Sequence, residues 1–248
     1  MRPGDFTQLA AAYAHRPAYA DRVVNALARD VGPGRVADVG AGTGKFTAML
    51  AARGYRGIAL EPNAAMRQEG ERLQLPGFAW LAGAAEATPF DSGSLDWVTM
   101  ASAFHWADPR AALQEFHRVL KPGGALTLLW NPRDLARDPL QARIEDRIGA
   151  LAPDLRRRSS GAAAYTETLE DRLVDDGLFD SLVQLEAPHL EVMSRERHLG
   201  AWASVNDVRS QVGEALWAKV LEAIAEELSG RETVAVRYRT RAWHVRRA

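Results

Sequence analysis

The sequence predicts an α/β protein whose core is an open, mostly parallel sheet of seven strands with helices on both faces. Three observations lead there. Between Arg35 and Trp130, short β-rich runs alternate with helical patterns at the spacing that parallel strands and their crossover helices require. A turn containing Gly40, Gly42 and Gly44 joins the first such run to a helical one. Beyond Asn131 the pattern becomes mainly helical, yet two β-rich runs remain, at 182–190 and 233–245.

In chain order, residues 1–30 read as a helical cap ahead of the sheet. Strands are expected at Arg35–Val39, Gly57–Glu61, Phe78–Leu81, Leu95–Ala101 and Ala125–Trp130. Between the first two, Phe46, Met49 and Leu50 share one face of a helix that ends at Gly54, where a left-handed cap costs glycine least. Pro109 opens a helix with an apolar stripe of Ala112, Phe116, Val119 and Leu120, closed by Lys121, Pro122, Gly123 and Gly124.

After Asn131, helices are expected at about 140–151, 169–177, 195–203 and 212–228, with one strand among them. The run Arg156, Arg157, Arg158, Ser159, Ser160, Gly161 reads as a loop. In the last strand Val234, Val236, Tyr238, Thr240 and Ala242 alternate with Arg237, Arg239 and Arg241, one face buried and the other solvated. No linker separates domains. A single domain over 1–248 is expected, with a core at 35–131, lid helices and a sixth strand at 134–232, and the last strand at 233–246.

Composition narrows the function. With 47% hydrophobic residues, the 248-residue chain can bury roughly 70 to 75% of its unfolded surface without cross-links. Lys and Arg number 31 against 32 Asp and Glu, a net charge of −1, so no overall field draws in nucleic acid or an anionic membrane. The absence of cysteine excludes disulfides, thiolate zinc sites and thiolate nucleophiles. Asp5, His15 and Arg16 interrupt any apolar signal-peptide core, and no apolar run approaches the ~18 residues of a membrane span, so a cytoplasmic protein is expected. No His/Asp/Glu cluster has metal-ligand spacing, and no metal is expected.

The segment VADVGAGTGKFT, 36–47, sets the glycine turn at a strand-to-helix junction, the corner where open α/β sheets bind ligands. A dinucleotide fingerprint would need glycine where Lys45 stands. A phosphate loop would need glycine at Val39 and Ser or Thr at Phe46. What remains, Asp38 through Gly44 together with GIALEPN at 57–63, resembles the class I S-adenosylmethionine-dependent methyltransferases. GAAEATPFDSGSLDWVTMASAFHW at 83–106 and RVLKPGG at 118–124 are similar to two further pieces of that family.

The resemblance implies a seven-stranded Rossmann-like fold with an antiparallel last strand and S-adenosyl-L-methionine as cofactor, S-adenosyl-L-homocysteine being the product. It implies that Glu61 accepts from the ribose diol and that Ala85 and Glu86 face the adenine, with Pro62 and Phe90 supplying apolar surface. Asp38, Gly40, Ala41, Gly42, Gly44 and Ser102 complete the expected cofactor site, with Tyr13 and Arg16 reaching it from the N-terminal cap. A valine at Gly42 is expected to block the ligand with little loss of fold.

Tyr13, Arg16, Pro17 and Tyr19, with His105, Trp106 and Asp108, resemble a small-molecule branch carrying a His-Trp-x-Asp motif after the fourth strand; Ala107 replaces the usual Phe. The Asn/Asp-Pro-Pro-aromatic signature of nucleic-acid amine methylation is absent, and no cysteine exists for cytosine C5 attack. The expected partner is therefore a small-molecule acceptor, with neither nucleic acid nor membrane, in a monomer or homodimer. His105 is the candidate general base. Tyr19, His15, Trp106 and Trp130 are candidates for the acceptor pocket; His117 and His244 are read as surface residues. The alternative function is a protein of the same fold that senses the cofactor or catalyses a non-methylating reaction.

Overall fold

The computed structural model describes residues 5–157, 166 and 168–248; the loop expected at 156–161 lies outside them from residue 158 onward. Among the described residues the strands are β1 (Arg35–Val39), β2 (Arg56–Leu60), β3 (Phe78–Leu81), β4 (Leu95–Ala101), β5 (Leu120–Trp130), β6 (Phe179–Ser194) and β7 (Thr233–Arg247). They form one seven-stranded sheet of order β3-β2-β1-β4-β5-β7-β6. β7 runs antiparallel to both neighbours, while β1 to β5 pair in parallel. The helices are α1 (Ala10–Tyr13), α2 (Asp21–Val31), α3 (Lys45–Ala51), α4 (Ala64–Glu71), α5 (Pro109–Val119), α6 (Pro139–Leu151), α7 (Leu169–Val174), α8 (Arg195–Ala203) and α9 (Asn206–Glu227). None is long and apolar enough to cross a membrane.

Successive residues of a strand point to opposite faces, and β1 shows this directly. Ala37 and Val39 join Leu113 and Phe116 of α5 and Leu169 and Leu173 of α7 in one apolar cluster. Val36 joins Val24 and Leu27 of α2 and Phe46 and Leu50 of α3 in another. A parallel sheet covered on both faces needs apolar side chains in both directions, as β1 and β5 have. A third cluster holds Ile144 and Ile148 of α6, Trp202 of α8 and Val220 and Ile224 of α9 against Val234, Val236 and Tyr238 at the start of β7.

Several boundaries differ from expectation, among them β2, which spans 56–60 rather than 57–61, β7, which runs on to Arg247, and α3, which ends at Ala51, three residues before Gly54. β5 begins at Leu120, opposite Leu95, and loops out Lys121–Gly124 before Ala125 pairs with Trp97. β6 spans 179–194 rather than 182–190, because nearly its whole length pairs with β7. α7 stops at Val174, and α9 begins at Asn206 and breaks at Gly213, whose φ of 75° and ψ of 169° are not helical. His244 is no surface residue: it is 3% exposed, bonded through Nδ1 to Thr127 Oγ1 at 2.7 Å and through Nε2 to Asp30 at 3.0 Å.

On the basic face of β7, Arg237 is exposed while the other two arginines are paired with carboxylates. Arg239 pairs with Asp134 at 3.0 Å and Glu186 at 2.6 Å, and Arg241 with Glu186 at 3.1 Å.

Candidate active site

The sheet order runs in opposite directions from β1 and β4, so a crevice opens beyond their carboxyl ends. It contains a cavity of about 390 Å³, within the range of ~300 to 1,000 Å³ usual for ligand pockets. The glycine turn after β1 forms one wall and residues 101–103 after β4 the other. Gly40 has φ of 65°, and a Cβ there would stand 2.7 Å from the Ala103 Cβ, so the two strand ends approach too closely for any side chain. At Gly42 the nearest neighbour of a Cβ is Met66 at 3.4 Å, yet φ is 60°. A valine there would be strained by the backbone itself, which corrects the expectation of a nearly unperturbed fold.

Glu61 stands just past β2 and is 7% exposed. Its Oε2 accepts from the Gly42 N–H and its Oε1 from the Asn63 N–H, both at 2.8 Å. The carboxylate thus ties the glycine turn to the neighbouring strand end while each oxygen keeps a lone pair for a ligand. Burial raises its pKa, opposed by those two backbone donors. Ala41, Pro62, Ala85 and Glu86 line the same cavity, and Glu86 also accepts from the Asp108 N–H at 2.8 Å. Trp106 closes it beside Phe6, the two rings 5.7 Å apart edge to face.

A second cavity of about 200 Å³ adjoins the first, and Tyr13, Tyr19, Lys45 and Ser102 line both. The Tyr19 hydroxyl donates to Ser102 Oγ at 2.9 Å on this boundary. Burial pushes the Tyr19 pKa up. Ser102 has φ of 53°, uncommon for a residue with a side chain, and its N–H is held by the Leu129 carbonyl at 2.8 Å. Arg16 faces this second cavity, held by Ser204 Oγ at 2.6 Å and stacked on Tyr13.

Five expectations are corrected. Asp38 lies beneath the glycine turn, 0% exposed, its two oxygens accepting from Thr47 at 2.6 Å and Thr99 at 2.8 Å; it braces the turn and does not face the cavity. Gly44 also stands back from the lining: with φ of 82° it starts α3, packed against Leu73 and Trp80. Phe90 belongs to the core under β4. Trp130 is 2% exposed against Trp243 and lines neither cavity. His15 is exposed, its ring lying on Gly200.

His105 requires a different chemistry from the one expected. It sits at the edge of a small cleft with Arg16, Trp106 and Asp207, and lines neither of the two cavities. Trp130 Nε1, which can only donate, points at His105 Nδ1 at 3.2 Å, so the neutral ring carries its proton on Nε2. Burial lowers its pKa to about 4, partly offset by the Asp207 charge. At neutral pH the ring is uncharged, and its one lone pair is already engaged. The general-base role is therefore withdrawn.

Several cavity residues were not anticipated. Met66 and Asn63 arrive through α4, which Asn63 caps by accepting from the Met66 N–H at 3.1 Å. Lys45, which breaks the dinucleotide fingerprint, lies on the boundary, its Nζ donating to the Ala14 carbonyl at 3.1 Å. Asn131, Arg133 and Tyr238 line the second cavity. The signal for Arg133 was available: a charge just past the end of a parallel strand. Among the described residues no group of three or more His, Asp or Glu could hold a metal ion.

A sheet of this order, with a glycine turn and a carboxylate at its switch point, is a Rossmann-like fold with a ligand crevice at its usual place. Residues 37–128 match the family model of a methyltransferase domain. An uncharacterised methyltransferase of Mycobacterium tuberculosis is 44% identical over 119 residues, 48% of this chain and 48% of that protein. A demethylmenaquinone methyltransferase of Beutenbergia cavernae is 40% identical over 95 residues, 38% of this chain and 39% of that protein. The matched part spans about half the length, or less, of these curated relatives. Among solved structures, a proposed type II methyltransferase from Anaeromyxobacter dehalogenans superposes with a TM-score of 0.64 at 23% identity, covering 93% of this chain and 97% of that one, which establishes the fold.

Proposed function

We propose that the chain is an S-adenosylmethionine-dependent methyltransferase acting on a small-molecule acceptor by in-line transfer. The observation that carries this is the pair of adjoining cavities that meet at the Tyr19–Ser102 hydrogen bond, one of them walled by the glycine turn and Glu61. The residues present fit the cofactor. The left-handed Gly42 leaves open space for it, Glu61 keeps acceptor capacity for a diol, and Pro62, Ala85 and Met66 offer apolar surface for a ring.

When bound, the cofactor supplies an electrophilic methyl group on a sulfonium. The protein's work is then to hold the acceptor atom in line beside Tyr19 and Ser102 and to exclude water with Phe6, Tyr13 and Trp106. Orientation of this kind can supply ~7 to 11 kcal/mol of barrier reduction without a proton-transfer group. The acceptor lies in the second cavity, and the helices of 134–232 serve as its lid. Neither nucleic acid nor membrane is a partner in this reading, which the near-neutral charge supports.

The test is calorimetric titration with S-adenosylmethionine, followed by a screen of metabolites for release of S-adenosylhomocysteine. Binding together with acceptor-dependent product release is expected. Failure to bind overturns the reading, and binding that yields no methylated product from any hydroxyl, amine or acid leaves a sensor of the cofactor.

A further inference from the structure

Arg133 follows the end of β5 and lines the second cavity. Its guanidinium lies 3.9 Å over the Trp202 ring, and its Nε is buried without a hydrogen-bond partner. Among the described residues it makes no hydrogen bond or ion pair at all. Other arginines of this part of the fold are matched: Arg239 by Asp134 and Glu186, and Arg157 by Glu145 at 3.0 Å and Asp207 at 3.4 Å.

The rest of the wall increases the imbalance. Arg16, Lys45, Arg133 and Arg157 face the cavity against one carboxylate, Glu145, which Arg157 already holds. Arg16 is held by the neutral Ser204 and Lys45 by a backbone carbonyl. A partly buried cation without a hydrogen-bond acceptor is costly, and a guanidinium cannot escape by losing its proton at any ordinary pH. Burial lowers the Arg133 pKa, opposed only in part by Tyr238 and Glu145 and reinforced by the neighbouring Arg16 and Arg157 charges.

We propose that this cavity takes an acidic acceptor, whose carboxylate or phosphate group is bound by Arg133 while the atom to be methylated lies toward Tyr19 and Ser102. This rests on the second cavity being the acceptor site. A planar guanidinium backed by an indole presents its N–H fork to a carboxylate or phosphate in two parallel bonds. Trp202 fixes the plane of the fork, so the acid group is held in one orientation relative to the boundary. Arg133 is thus a substrate-positioning residue that selects by charge.

The experiment is calorimetric titration of the full chain with citrate as the carboxylate probe, phenyl phosphate as the phosphate probe and triethyl citrate as the neutral control. Wild-type protein should bind one of the two acids at least about 10-fold more tightly than the ester, and the preferred acid identifies the group. Arg133→Gln should weaken that acid by a similar factor. Arg133→Lys should retain part of the affinity, and Arg29→Gln, at the opposite end of the sheet, should change nothing. If Arg133→Gln does not fold, the wild-type comparison of acid with ester and the lysine variant decide.

No acid binding at millimolar concentration, equal binding of the ester, or an unchanged Arg133→Gln would each overturn the proposal. S-adenosylmethionine is titrated separately. Cofactor binding without acid binding sinks this inference alone, whereas acid binding without cofactor binding sinks the methyl-transfer reading and leaves an anion site.

Discussion

Trp130 Nε1 donates to His105 Nδ1 at 3.2 Å, and this one bond determines which tautomer the histidine adopts. A buried strand residue thereby holds the imidazole beside the site in a neutral form that has no lone pair to offer.

His105→Asn, which keeps an acceptor near the position of Nδ1, should retain turnover within about 10-fold of wild type. Loss of a general base would instead cost ~10² to 10⁴-fold. The pH profile of kcat for both proteins should lack a limb near pH 6 to 7. A pH-dependent loss confined to the variant would restore the base assignment.

Two histidines should make the protein acid-labile. Burial lowers His105 to about 4 and His198, 0% exposed and short of opposite charge beside Arg133, to about 3. Both folded values lie below the unfolded value near 6.5, so the unfolded chain binds more protons as pH falls. Their contribution is present in full above pH 6.5 and is lost as pH drops toward 4 and 3. By pH 4 each can cost roughly 3 kcal/mol. Urea midpoints measured between pH 7 and 4 should fall, and a flat profile would contradict the burial of both rings.

Asp38 works in the opposite sense and offers an independent check on its bracing role. Burial raises its pKa to about 6 despite the bonds from Thr47 and Thr99, so its contribution is full below the unfolded value near 3.8 and declines as pH rises through 6. Asp38→Asn should therefore lose little at neutral pH. Asp38→Ala, which strands two buried hydroxyls, should cost about 1 to 3 kcal/mol in a thermal or urea melt and weaken the glycine turn with it. An alanine variant of wild-type stability would remove the bracing argument.

Glu61→Gln replaces an acceptor oxygen with an amide that faces either the Gly42 or the Asn63 N–H. Cofactor affinity should fall roughly 10- to 150-fold, the equivalent of one or two charge-assisted hydrogen bonds. Calorimetry at wild-type affinity would exclude both the ribose role and the coupling of Glu61 to the turn.

The sheet was legible because its signals are local. Val36, Ala37 and Val39 of β1 and Leu126, Leu128 and Leu129 of β5 meet apolar clusters on both faces of the sheet, and Pro109 opens its helix by its fixed backbone geometry. Boundaries were misjudged where pairing outran propensity: β6 extends to Ser194 because β7 lies beside it, not because its residues favour strand. The wall of the larger cavity was also legible, since the glycine turn, Glu61, Pro62, Ala85 and Glu86 that line it lie in short motifs at strand ends.

The amino-acid sequence by itself determined the parallel core, the switch-point corner and the residue types facing it, because periodicity and glycine spacing act over a few residues. Tertiary structure alone decided how long-range pairs are spent. Asp38 is satisfied by Thr47 and Thr99 and cannot reach a ligand, and His105 yields its lone pair to a tryptophan 25 positions away. Arg133 rests on Trp202 and, among the described residues, makes no hydrogen bond or ion pair, Glu145 acting on it only through its charge. Whether a polar side chain is a brace, a bystander or a ligand depends on which partners folding brings to it, and a one-dimensional pattern does not contain those distances.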